Sequence, residues 1–190
     1  DVAGVGANLC DAEKILYTEE NGKKLAIINC CEHEFSIASC ATTGANPLNP
    51  IAQFYKIKEA KQNADFVLVV VHGGHEHFQL PSMRMQETYR FFVDAGADAV
   101  VNHHQHCYSG YELYKGKPIF YGLGNFCFDW DGVPQKMWTE GYFVEIKFDK
   151  EISFNLYPYC QYGEVARVNL LPLDSFADTL ENLNSIIKDE

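Results

Sequence analysis

Residues 66–71 (FVLVVV) run straight into His72-Gly73-Gly74-His75-Glu76-His77, and this junction constrains the chain more than any other feature. A continuous apolar run without polar alternation reads as a strand covered on both faces, as in a parallel sheet. A second short apolar run, residues 97–101 (ADAVV), leads into Asn102-His103-His104-Gln105-His106. Between the two, residues 82–95 have helical spacing. Met85, Tyr89, Phe92 and Val93 recur on one face, Ser82 after Pro81 is a candidate N-cap, and Gly96 is a stop signal. Strand, helix and strand over this length predict a βαβ unit with a right-handed crossover.

The rest of the chain extends that pattern. Residues 24–29 (KLAIIN) read as a short buried strand, and residues 41–49 as a loop punctuated by Gly, Pro and Asn. Residues 50–64 predict a helix with Ile51, Phe54, Tyr55 and Ile57 on its apolar side. Ile119-Phe120 and residues 126–128 flank a Gly-rich turn, and Asp129, Trp130 and Asp131 read as surface loop. Residues 142–148 and 152–159 alternate apolar with polar and predict an antiparallel hairpin through Asp149-Lys150. Residues 175–188 predict a last helix with Phe176, Leu180, Leu183 and Ile187 inward. The expected fold class is α/β (α+β): a parallel βαβ core, then a C-terminal antiparallel hairpin and helix, in one domain over residues 1–190.

Composition excludes several functions. At 47% hydrophobic residues the chain can bury a core, so it is not a disordered or collagen-like polymer. Fifteen Lys and Arg against 26 Asp and Glu give a net charge of -11, which repels phosphate backbones and anionic lipid. No nucleic-acid partner is therefore expected. The longest aliphatic run, residues 67–71, is too short to span a bilayer, and the opening Asp1-Val2-Ala3-Gly4 has neither the basic nor the apolar part of a signal peptide. Seven cysteines without C-x-x-C spacing read as mostly reduced, buried small hydrophobes, which leans towards a reducing compartment.

The histidines carry the chemistry. Six of the seven fall in the two clusters, each directly after a strand of the expected parallel sheet. In open α/β sheets ligands bind beyond the carboxyl ends of the strands, so both clusters should emerge at one edge. Imidazole is the commonest neutral nitrogen ligand for transition metals. His72, His104 and His106 are the leading ligand candidates, while His75, His77 and His103 suit either outer positions around a site or the surface. His33, isolated in CCEHEF, reads as structural. Glu76 could bind metal, act as a general base or orient a histidine ring. Glu112 could do the same or be a solvated loop carboxylate. The turn Gly122-Leu123-Gly124-Asn125-Phe126 could hold an anion on its backbone N–H groups.

At these residues the sequence resembles the bacterial capsule-synthesis proteins of the poly-gamma-glutamate type, within the calcineurin-like metallophosphoesterase superfamily. The family's H-W-G-x-E appears here as His72-Gly73-Gly74-His75-Glu76, its D-A-G-A-D as residues 94–98, and its G-H-H-P-H as Asn102 to His106. An acidic residue before Y-K-G-K follows as Glu112 and residues 114–117, and I-F-Y-S-L-G-N-F as residues 119–126. The opening GVGANLCDAEK resembles a further family segment. Four positions depart from the motifs: Gly73 stands for Trp, Asn102 for Gly, Gln105 for Pro and Gly122 for Ser.

The resemblance implies a four-layer, metal-dependent hydrolase fold, with His72, His104 and His106 as metal ligands. The superfamily's early Asp motif and Asn-His motif do not appear before His72, so the chain looks like the C-terminal portion of the domain. Expected, then, is a phosphoesterase-like hydrolase of capsule or polyglutamate synthesis, or alternatively a non-catalytic metal- or polymer-binding component of such a complex. Expected roles are catalytic for Glu76, His103 and Glu112, and substrate-binding for His75 and Asn125. The expected cofactor is a divalent transition metal (Mn, Fe or Zn), as one ion or two in the intact domain. The partners are an anionic small-molecule or polymer substrate and either the domain's N-terminal half or further copies of the chain. Family members are often exported or membrane-anchored, which pulls against the cysteine reading.

Overall fold

A six-stranded mixed sheet organises the chain, in a computed structural model that describes residues 2–33, 36–128, 136–162 and 167–189. Asp129, Trp130 and Asp131 lie outside the described residues. In chain order the elements are β1 (Val5–Gly6), α1 (Leu9–Ala12), β2 (Leu16–Glu20), β3 (Lys23–Cys31), β4 (Gly44–Ala45), α2 (Pro50–Asn63), β5 (Phe66–His72), α3 (Met83–Ala95), β6 (Ala99–His103), β7 (Tyr111–Tyr114) and β8 (Lys117–Phe120). Then follow α4 (Lys136–Thr139), β9 (Glu140–Lys147), β10 (Ser153–Tyr162), β11 (Arg167–Leu170), a 3-10 turn over Leu173–Phe176, and α5 (Ala177–Asp189).

The large sheet has the order β2-β3-β5-β6-β8-β7. The inner strands β3, β5, β6 and β8 are parallel, and the edge strands β2 and β7 are antiparallel to their neighbours. Val67, Val69 and Val71 face α2 and α3, in one core with Ile28, Ile57, Tyr89, Phe92, Val100 and Tyr121. Leu68, Val101 and Phe120 face the other way, into a second core with Tyr142, Phe154, Leu180 and Leu183. This two-sided cover explains the unbroken apolar runs. Each fully buried valine contributes about 1.5–3 kcal/mol over exposure.

The helices start where their caps allow. Asn49 accepts from the Ile51 and Ala52 N–H groups ahead of Pro50, and Ser82 accepts from the Met85 N–H. Gly96, at φ 126°, ends α3 with its N–H on the Phe92 and Val93 carbonyls. Met85, Tyr89, Phe92 and Val93 are buried as their spacing predicts. The apolar side expected for α2 needs correction: Ile51 (72%) and Tyr55 (67%) are exposed, and the buried positions are Gln53, Ile57 and Ala60. Gln53 turns inward because its Nε2 donates to Asn46 Oδ1 and to the Pro47 carbonyl, which fixes the rotation of the helix.

The C-terminal hairpin pairs β9 with β10, and β11 joins as a mostly exposed third strand that alternation did not reveal. This sheet covers the face of the large sheet opposite α2 and α3, and α5 packs along the edge strand β7. The described residues thus make three layers, helices, mixed sheet and antiparallel sheet, where the resemblance implies four for a whole domain. The last helix begins at Ala177 after the 3-10 turn, and Phe176, Leu180, Leu183 and Ile187 are buried as expected. The cysteine expectation is half right. Cys30 and Cys107 are buried, Cys31 and Cys160 are half-buried, and Cys10, Cys40 and Cys127 are exposed. No helix among the described residues is long and apolar enough to cross a membrane.

Candidate metal centre

Strand register delivers both histidine clusters to one edge. Cys31 pairs with His72, and His72 with His103, so three adjacent parallel strands end level. Beyond that line the backbone is bound tightly across strands. The Gly73 N–H donates to the His103 carbonyl, the Glu32 N–H to the His72 carbonyl, and the His77 N–H to the Gln105 carbonyl. Gly74 takes φ 114° and donates its N–H to Glu32 Oε2 at 2.7 Å. Three histidines occupy the left-handed region, His77 at φ 65°, His104 at 117° and His106 at 57°. Such backbone costs on the order of 1–3 kcal/mol per residue and clusters where a site needs it.

These turns bring together Glu76, His104 and His106, whose ligand atoms lie within 4.8 Å of one another. His72 joins from the strand end: its Nε2 is 3.1 Å from His104 Nδ1. That spacing suits a shared proton, or two donors on one tetrahedral ion, which sit about 3.3 Å apart for 2.0–2.1 Å bonds. The tautomer of His106 follows from its neighbour. Asn125 Nδ2 donates to the His106 and Trp138 carbonyls, so its Oδ1 faces the ring, 2.8 Å from His106 Nδ1. Nδ1 then carries the proton and Nε2 keeps a free lone pair, the arrangement of a metal-ligating histidine. The Trp138 indole stacks on the His106 ring at 4.8 Å, and Phe128 meets it edge-on at 5.2 Å. Two or three imidazoles and one carboxylate form a donor set that fits Zn, Mn or Fe.

The other candidates are placed as follows. His103, level with His72, is exposed on one side. Desolvation of its ring, then the nearby His72, lower its pKa below the ordinary imidazole value. His77 approaches Glu76, with Nε2 3.9 Å from Oε2, and its ring lies 5.6 Å from Trp138. His75 is not part of this group and lines a neighbouring cleft of about 820 Å³ with Glu32, His33, Ser82, Arg84 and Tyr89. Asn125, expected to contact substrate, bonds His106 Nδ1 through its Oδ1 and the His106 and Trp138 carbonyls through its Nδ2.

Glu112 is not brought to the histidines, and it is no solvated loop carboxylate either. It is buried on β7, where it accepts from Arg90 Nε and Nη2 at 2.9 and 3.0 Å and from the Tyr121 hydroxyl at 2.6 Å. Burial, and then the bond to Glu112, push the Tyr121 phenol well above its usual range. Glu32, Asn102, Gln105 and Trp138 were missed as contributors. Glu32 was legible only as a neighbour of the isolated His33, and Trp138 sits in no motif.

These features define an α/β protein with a histidine and carboxylate site at the carboxyl edge of a parallel sheet. The family described as "Bacterial capsule synthesis protein PGA_cap" matches residues 1–130. The capsule biosynthesis protein CapA of Bacillus anthracis is 38% identical over 135 residues, covering 68% of this chain and 33% of the relative. The PGA biosynthesis protein CapA of Bacillus subtilis (strain 168) is 39% identical over 132 residues, covering 68% of this chain and 35% of the relative. A hypothetical protein of Thermus thermophilus, known as a crystal structure, aligns over 83% of this chain and 62% of its own, at 16% identity and a TM-score of 0.49. The chain belongs to the PGA_cap family of bacterial capsule synthesis proteins. It spans about a third of the length of the two CapA relatives.

Proposed function

We propose that this chain carries the histidine half of a metal-dependent, phosphoesterase-like hydrolase that acts in capsule or poly-gamma-glutamate synthesis. The observation that carries the reading is the convergence of Glu76, His104 and His106 within 4.8 Å, with His72 beside them. Those four residues would hold a divalent transition ion, which supplies Lewis-acid activation of water and of the bond to be cleaved. The chain's own groups do the rest. Asn125 fixes the His106 tautomer, and His103 and His77 flank the site as exposed imidazoles able to accept or return a proton. His75 and the cleft beside it receive the substrate. An anionic substrate approaching a chain of net charge -11 must be met by local positive charge, which the ion would provide, since Glu32 and Glu87 line the cleft beside Arg84.

The test is elemental analysis of the purified protein after loading with Mn, Fe or Zn, paired with turnover of phosphodiester and γ-glutamyl amide substrates. One ion per chain, lost in His104→Ala, together with turnover of either substrate, is the expected result. Metal uptake without turnover would favour a non-catalytic metal- or polymer-binding component. No uptake above background would sink the metal reading.

A further inference from the structure

Beneath the histidine loops lies a buried polar cluster that the proposed chemistry does not use. Asn102 is 0% exposed and Gln105 1%, and they sit between Tyr89 and Tyr121, which are as deeply buried. Asn102 Nδ2 lies 2.9 Å from the Gly73 carbonyl, 2.8 Å from Gln105 Oε1 and 2.9 Å from the Tyr121 carbonyl. Its Oδ1 accepts from the Tyr89 hydroxyl at 2.7 Å. Gln105 Nε2 donates to the same Tyr121 carbonyl at 2.6 Å, and the Gln105 carbonyl accepts the His77 N–H at 2.7 Å.

We infer that Asn102 and Gln105 are positioning residues for the histidine site, a buried amide pair that locks the loop after β5 to the loop after β6. Asn102 grips the residue that follows His72, and Gln105 lies between His104 and His106. Their mutual bond therefore sets how far His72 stands from the other two. Strand packing alone does not call for two buried carboxamides, since an apolar side chain of similar volume avoids their desolvation. The surroundings are shaped to them. A Cβ on Gly122 would meet Gln105 Oε1 at 3.0 Å, and one on Gly74 would meet Gln105 Cδ at 3.3 Å. Asn102, Gln105, Gly73 and Gly122 are also the four departures from the family's motifs, and all four meet in this one spot.

The inference rests on the histidine site proposed above, so its test has one arm with metal and one without. Gln105→Met keeps the volume and removes both amide functions. Leu180→Ala, in the second core, is the control for lost stability without a change at the loops. Zinc affinity is measured by competition with a chromophoric chelator, and the histidine ring signals by NMR on metal-free protein. Gln105→Met is expected to weaken zinc binding ten- to a hundredfold and to shift the His72 and His104 ring signals. Leu180→Ala should lower the urea midpoint and leave both readouts alone. Wild-type affinity and unshifted rings in Gln105→Met would overturn the inference. If wild-type protein takes no zinc, the metal reading fails and the ring signals alone decide the positioning role. If Gln105→Met does not fold, Gln105→Asn, which keeps a buried carboxamide but is one methylene too short to reach both Asn102 and the Tyr121 carbonyl, decides it by the same readouts.

Discussion

The two ends of the parallel strands are built in opposite ways. At the amino ends Asp98, 5% exposed in its side chain, accepts from Lys61 Nζ and Lys117 Nζ at 2.7 Å each and from the Val67 N–H at 3.0 Å. Three elements, α2, β5 and β8, are fastened to one carboxylate there. At the carboxyl ends, β5 and β6 finish on His72 and His103 and release four more histidines into turns, three of them in left-handed backbone. One edge pairs its buried carboxylate with two lysines and a backbone N–H, and the other holds left-handed backbone and imidazoles that reach solvent. The difference teaches where this fold keeps its stability: the strained rim is tolerable because the opposite edge and the core between them over-determine the strands.

The largest expected break in that comparison is Asp98→Ala. It removes the acceptor of a buried N–H and of two ammonium groups. Urea denaturation should show a loss of about 3 kcal/mol, at the lower end for a broken buried pair because both lysines reach water. Metal uptake by the histidine rim should be unchanged; if it falls as well, the two edges are not independent. A smaller effect comes from the core between the edges. Burial pushes the Cys30 thiol up to about 12, with Cys31 adding to the rise, and burial raises Cys107 to about 11. The unfolded chain releases these protons near pH 9, so above that pH it binds fewer protons than the folded chain and stability falls as pH rises. The slope is at most about 1.4 kcal/mol per pH unit for each group. Cys30→Ala should flatten this alkaline limb, as read from thermal midpoints between pH 8.5 and 11. The smallest change should have the opposite sign. His104→Gly relieves a φ of 117° and should raise the unfolding free energy by about 0.5–1 kcal/mol while abolishing metal uptake. A destabilised His104→Gly would mean that the rim is not strained.

Legibility followed burial. The βαβ unit, its caps and the inward faces of α3 and α5 were readable, because periodicity records which face meets a core. The edge strands β2, β7 and β11 were not, since an edge strand is covered on one side or neither and its pattern is diluted by polar residues. In the site, Glu76, His104 and His106 could be picked from residue type and position alone. The separation of Glu76 from Glu112 could not. Glu76 lies inside one histidine run and Glu112 six residues after the other, and only the pairing of β7 with β8 turns Glu112 towards Arg90 and Tyr121.

By itself the sequence determined the parallel core, the edge at which the histidines emerge and the set of groups able to hold a metal. These are local properties, set by hydrophobic period and by which residue follows a strand. Tertiary structure alone decided which groups meet: Asn125 on His106, Trp138 stacked beside it, Asn102 and Gln105 tied beneath the loops, and Glu112 held away. Those contacts join residues far apart in the chain, and their partners are chosen by strand register and by the hydrogen bonds that every buried polar group must find.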